Sequence, residues 1–343
     1  MVDLRSDTVT KPTIEMREAI KNAEVGDDVL GDDPTIIQLQ DMIAELLGKE
    51  AALFVPSGTM SNAVAIRTHT QPGDEIITER FSHIYMYEGG GYAALSGCSI
   101  ALVDGKLGIM EPEDVEKAIR KEDGSLGHFP NGSLVCVENT SNRGGGTFYD
   151  LESLDKICEI AHVNDCKIHM DGARLFNAVI ESGIDAKRMV KNFDTISICL
   201  SKGLGAPVGS LLVGSKEDIS KAHRWRKLFG GGMRQAGVIA AAGIYALENN
   251  ISRLADDHER ARKLANAINE IDMFSVNLEG VQTNMVYIKV IGNINAEQMV
   301  EKLAEHDVHV LALGDDLLRA VTHIHITDED IDNSINAFKR ISS

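Results

Sequence analysis

A lysine that leaves an apolar run and enters a stretch of small residues is placed for amine chemistry. Lys202, in SKGLGAPVG after Thr195 to Leu200, does so. Desolvation in a cleft lowers an amine's pKa and frees its lone pair, and a free amine condenses with carbonyl groups. Most lysines are solvated surface groups, so Lys202 gains meaning only from its companions. Asp171, in DGAR, ends a second apolar run, Lys167 to Met170. A carboxylate there can pair with a protonated ring nitrogen and keep positive charge in a heterocyclic electron sink. Its bland use is a helix cap followed by a surface arginine, Arg174. Ser57, Gly58 and Thr59, in PSGTMSN, open a helix-like segment after Ala51 to Val55. Free N–H groups, two hydroxyls and a glycine suit a phosphate, although the same residues make an ordinary N-cap. His83, in SHIYMYEGGG, is either part of an aromatic cluster with Tyr85 and Tyr87 or an imidazole lying on a flat ligand and moving protons.

These residues share a position, the carboxyl end of a strand-like run, which is where open parallel sheets bind ligands. Short apolar runs at 51–55, 75–78, 100–103, 133–137, 167–170, 195–200 and 210–213 alternate with amphipathic segments at 35–47, 59–69, 113–120, 151–163 and 216–228. That alternation predicts an α/β fold, a mainly parallel sheet covered by helices. After a long helical stretch from Gln235, strand-like runs at 284–290, 309–313 and 318–322 alternate with helices from Ala296 and Asp328. We therefore expect a large α/β domain over residues 1–250 and a small C-terminal α+β domain over 251–343. The phosphate cup, Asp171 and Lys202 together are the parts that a pyridoxal 5'-phosphate site requires.

Composition limits the alternatives. The formal charge of −18 opposes nucleic acid and anionic membrane surfaces, so any anionic ligand must be held by a few local cations. The five cysteines are odd in number and form no CxxC pair, which suits buried thiols in a reducing compartment. The start, MVDLRSDTVTKP, has no apolar stretch resembling a secretory signal, and no run is long enough to span a bilayer. The expectation is a soluble cytoplasmic protein.

The strings DLRSDTVTKPT, ALFVPSGTMSN, SHIYMYE, HMDGARLFNA, CLSKGLGAPVGS, FGGGMRQAG, QTNM and RAVTH are spread over nearly the whole chain. In them the sequence resembles the low-specificity L-threonine (L-allo-threonine) aldolases, which are fold-type-I pyridoxal-phosphate enzymes. The resemblance implies that Lys202 is the Schiff-base lysine, that Asp171 partners the pyridine nitrogen and that His83 stacks on the ring. It further implies that Ser57, Gly58 and Thr59 hold the phosphate, helped by Arg234 from a neighbouring subunit of a homodimer or homotetramer. Ser6, Arg174 and Arg319 would bind the substrate carboxylate, with Arg174 also close to the cofactor. His128, in GHFP, matches a histidine facing the β-hydroxyl. One departure is Ser141, where many relatives carry a histidine after ENT.

The implied reaction is cleavage of a small β-hydroxy-α-amino acid to glycine and an aldehyde, with His83, His128 or a water they hold as base. A β-eliminating lyase of the same fold and cofactor is the nearest rival, distinguished by releasing ammonia and pyruvate. A metal-dependent aldolase needs a ligand cluster, and His323 with His325 offers only two ligands on one strand face, so no metal is expected. A non-catalytic binding protein would leave Lys202 unmodified.

Overall fold

The apolar runs assemble into one seven-stranded sheet in a computed structural model that describes residues 1–342. Across the sheet the strands are Ala51–Val55, Ser210–Gly214, Thr195–Cys199, Lys167–Asp171, Asn131–Glu138, Asp74–Glu79 and Ser99–Val103. All neighbours are parallel except Ser210–Gly214, which is antiparallel to both of its own. Chain length explains the exception. The loop from Cys199 to Ser210 is too short for a crossover helix, so the chain can only return antiparallel.

Helices cover both faces. Pro34–Leu47 starts at Asp33, whose side chain accepts from the N–H groups of Thr35 and Ile36, and stops at Gly48 with φ 62°. Its buried Ile36, Leu39, Ile43 and Leu47 repeat at helical spacing and join the main core with Phe54 and Leu200. Gly58–His69 follows the Ala51–Val55 strand, and Leu151–Val163 precedes Lys167–Asp171.

A second, antiparallel sheet is ordered Leu311–Ala312, Leu317–Val321, Met285–Val290 and Phe274–Val276. Leu254–Asn269, Ala296–Ala304 and Asp328–Ile341 pack with it around a separate core. The N-terminus joins this part of the molecule. Val2–Asp3 pairs in parallel with Val308–His309, Leu4 is bonded to His309 and Val321, and Val2 and Leu4 lie in the second core. A two-residue strand carries no period, so nothing in the sequence pattern announces it. Its consequence is functional, because it brings Ser6 and Asp7 to the carboxyl edge of the large sheet. Among the described residues, no helix is long and apolar enough to cross a membrane.

Candidate active site

The carboxyl ends of five parallel strands meet along one edge. Val55 leads to Ser57, Glu79 to His83 and Cys199 to Lys202, while Asp171 and Glu138 are themselves strand ends. All but the Glu138 end border a cavity of about 260 Å³ lined by Ser57, Gly58, Thr59, His83, Asp171 and Lys202, together with Asn62, Glu88, Ser201 and Pro207. Six of the residues expected from sequence are thus brought together.

Ser57 performs the ordinary role as well, since its hydroxyl accepts from Met60 N–H at 3.2 Å and caps the helix. Ser61 N–H is the first to bond back, to Ser57 O, so the amides of Gly58 and Thr59 precede the helical ladder. A side chain at Gly58 would meet Cys199 Sγ at 2.6 Å, so this wall admits backbone only. The resulting cradle, N–H groups at the positive end of a twelve-residue helix, fits a phosphate.

Asp171 and His83 are held from behind by residues that sequence spacing did not single out. Asn62 Nδ2 donates to Asp171 Oδ2 at 2.9 Å and to Glu88 Oε1 at 2.8 Å. His83 Nδ1 lies 2.8 Å from the same Glu88 oxygen, and Glu88 is 4% exposed against 31% for His83. Burial alone opposes charge on His83, but the Glu88 bond and the charges of Asp171 and Glu88 outweigh it and raise the imidazole pKa. Burial raises the Glu88 pKa as well, against the pull of His83, so the pair as a unit holds its proton more firmly. His83, Glu88 and Asp171 are the three ligand-type side chains that lie within 4.8 Å of one another among the described residues. The Asn62 amide donates into the space between the two carboxylates.

Glu138 closes the next layer. It is buried, and its carboxylate accepts from His83 N–H and Asn142 N–H, each at 2.7 Å. Burial, reinforced by the charge of Asp171, pushes its pKa up to about 7 despite those two bonds. Asn142 Oδ1 in turn accepts from Arg319 Nη1 at 3.1 Å, and Arg319 Nη2 donates to Arg5 O at 3.2 Å. The remaining Arg319 donor, Nε, is buried without a partner.

Arg174, expected at the substrate carboxylate, is paired within the chain. Its Nε and Nη2 both bond Asp7, at 2.7 Å each, with both side chains buried, so its two-pronged edge is already occupied. Burial would raise the Asp7 pKa, yet Arg174 and the more distant Lys202 bring it down to about 2. Ser6 sits beside this pair as the cap of the turn Asp7–Val9, its hydroxyl accepting from Thr8. Asp7 had no sequence signal of its own inside RSDTVT.

Of the expected residues, Ser6, Arg174, Arg319, His128 and Arg234 do not line this cavity. His128 is exposed in the loop leading into Asn131–Glu138, at the opposite end of that strand from Glu138 and outside the cavity. Eight strand residues separate the two ends by roughly 25 Å. Arg234 is exposed, bonds Asp27 Oδ2 at 2.8 Å and does not line its own chain's cavity. His323 Nε2 donates to Asp3 O at 2.8 Å, tying down the N-terminal segment. All five cysteines are free and buried.

A family profile described as a beta-eliminating lyase matches residues 3–291. Low-specificity L-threonine aldolase 1 of Arabidopsis thaliana is 43% identical over 343 residues, covering 99% of this chain and 96% of that protein. The low specificity L-threonine aldolase of Escherichia coli strain K12 is 43% identical over 332 residues, covering 96% of each. The chain belongs to the low-specificity L-threonine aldolase family. It is therefore a lyase. Among solved structures, Leishmania major threonine aldolase matches with a TM-score of 0.84 at 19% identity, each chain fully covered. Sphingomonas wittichii serine palmitoyltransferase matches at 0.75 and 19%, covering 100% of this chain and 87% of that one. At such identities these two speak for the fold alone, which is that of fold-type-I pyridoxal-phosphate enzymes.

Proposed function

We propose that this enzyme cleaves L-threonine, L-allo-threonine and related β-hydroxy-α-amino acids to glycine and an aldehyde, using pyridoxal phosphate carried on Lys202. The observation that carries this reading is the convergence of Lys202, Asp171, His83 and the Ser57–Thr59 cradle on one cavity. The residues fit the cofactor. The cradle admits an oxyanion but no side chain at Gly58, Asp171 offers a carboxylate for a ring N–H, and the His83 ring borders the space between them. When bound, pyridoxal phosphate supplies an electron sink for the bond that breaks at Cα.

The chain's own residues do the rest. Lys202 provides the amine that would hold the cofactor, give way to the amino group of the incoming amino acid, and return to release glycine. Arg319, with a buried unpartnered Nε, binds the substrate carboxylate, while Arg174 is kept by Asp7 and lends one remaining nitrogen and Ser6 a hydroxyl nearby. His83 spends Nδ1 on Glu88, which leaves Nε2 as the atom that takes the proton of the β-hydroxyl, directly or through water. In a homodimer or homotetramer, Arg234 of a second copy reaches the phosphate and His128 of a second copy reaches the hydroxyl. Both residues are exposed and outside their own cavity, as such roles require. Five free thiols suit the cytoplasm.

Acetaldehyde and glycine released in equal amounts from L-threonine and L-allo-threonine test the reading. Ammonia and 2-oxobutyrate in their place would make the protein an eliminating enzyme.

A further inference from the structure

Behind Asp171 a line of side chains, buried except at its half-buried far end, His69, runs over the sheet, and none of them touches the space where a substrate would sit except the first. Asn62 Oδ1 lies 3.1 Å from His169 Nε2, His169 Nδ1 lies 2.9 Å from Thr195 Oγ1, and the same hydroxyl lies 3.0 Å from His69 Nε2. The secondary structure makes the line possible. His169 and Asp171 alternate onto one face of their strand, and Thr195 is the cross-strand partner of His169. Asn62 and His69 are seven residues apart, two turns along the overlying helix, and so share the face that meets those strands.

The direction of every bond in this line follows from donor counting. Asn62 Nδ2 bonds two carboxylates, which can only accept, so the amide must present nitrogen to them and oxygen to His169. His169 Nε2 therefore carries a hydrogen. His169 is fully buried and burial brings its pKa down to about 4, so the ring is neutral and Nδ1 is an acceptor. Thr195 must then donate to Nδ1, which leaves its oxygen to accept from His69 Nε2–H.

We propose that His69, Thr195, His169 and Asn62 form a one-way array of hydrogen-bond donors that presents N–H, and never a lone pair, to Asp171 and Glu88, and so positions them for a cationic heterocycle. A carboxylate that accepts behind retains the charged form in front. The same array fixes Glu88 as the acceptor for His83 Nδ1–H, which leaves Nε2 of His83 facing the cavity. His169, Thr195 and His69 are positioning residues, acting through Asn62. The role rests on the proposed function, which places the pyridine nitrogen at Asp171; the bond directions do not.

Two measurements on the holoenzyme separate these claims. With ¹⁵N-labelled histidine, His169 should give the shifts of a neutral ring protonated at Nε2 at pH 7; a ring protonated at Nδ1 would overturn the array. For the role, pyridoxal-phosphate affinity is measured by equilibrium dialysis after removal and re-addition of the cofactor. Thr195→Val and His169→Leu should each bind it about ten- to a hundredfold more weakly than wild type, the usual cost of a misdirected buried hydrogen bond to a charged group. His169→Gln, whose amide N–H can donate toward Asn62 and whose carbonyl oxygen can accept from Thr195, should restore most of the loss. Thr195→Val keeps the shape of the residue and serves if His169→Leu does not fold. Affinities within twofold of wild type in the folded variants would overturn the role. A wild-type chain that binds no pyridoxal phosphate would overturn the proposed function instead, leaving the histidine shifts to decide the array.

Discussion

Arg174 and Arg319 show how two similar side chains acquire different work from their neighbours. Arg174 spends its fork on Asp7, a pairing whose rupture would leave a buried charge uncompensated, so the pair fixes the N-terminal segment against the large sheet. Arg319 keeps Nε unpartnered and anchors its other nitrogens on Asn142 and Arg5, which fixes the plane of its guanidinium. Arg319→Lys should therefore weaken binding of the amino acid by about 1.5 to 3 kcal/mol, roughly ten- to a hundredfold, because lysine is a point donor and cannot reproduce the planar contact. Cofactor loading should stay as in wild type. Substrate titration of the visible absorbance checks both, and an unchanged amino-acid affinity removes Arg319 from the site.

At the scale of elements, the strand and helix carrying His169 and Asn62 tie the site's electrostatics to stability. His169 has an ordinary pKa of 6.5 and a folded value of about 4, so between these the unfolded chain binds a proton that the folded chain refuses. The His169 contribution is fully present above pH 6.5 and is lost as pH falls toward 4, a difference of up to about 3 kcal/mol. His169→Gln carries no such group and should lose less stability over that window. Glu138 and Asp257, whose pKa values are raised by burial, act in the opposite sense in both proteins and cancel in the comparison. Urea unfolding of both at pH 7 and pH 4.5 measures it, and parallel losses would contradict the buried neutral state of His169.

The same elements show what was legible beforehand. Lys202, Asp171 and Ser57–Thr59 could be found because each punctuates an apolar run, and the runs at 51–55, 151–163 and 216–228 have the expected bounds. Asn62, Glu88, Glu138, His169 and Asp7 could not, since their meaning lies in partners on other elements: Asn62 and Asp171 are 109 residues apart, Asp7 and Arg174 167 apart. One local clue existed for His169, which stands two residues before Asp171 and so had to share its strand face.

For the whole molecule, a chain with formal charge −18 must bind an anionic cofactor against its own field, which puts weight on helix N–H groups and on any cation supplied nearby. Arg234 lies outside its own chain's cavity, so its proposed phosphate contact needs a second copy. Mixing Lys202→Ala with Arg234→Ala protein, at limiting pyridoxal phosphate and after subunit exchange, creates hybrids in which one site keeps both wild-type residues. The mixture should exceed the summed activity of the separate variants. No gain after demonstrated exchange would remove Arg234 from the site.

The chemistry proposed for the whole molecule depends on Lys202, at the edge where the strand ends meet, being the amine that carries pyridoxal phosphate. Borohydride reduction of the loaded protein, followed by mass mapping of its peptides, tests this most directly. A phosphopyridoxyl group should appear on Lys202 alone and be missing after Lys202→Ala; label on another lysine, or none on wild type, would place the cofactor elsewhere.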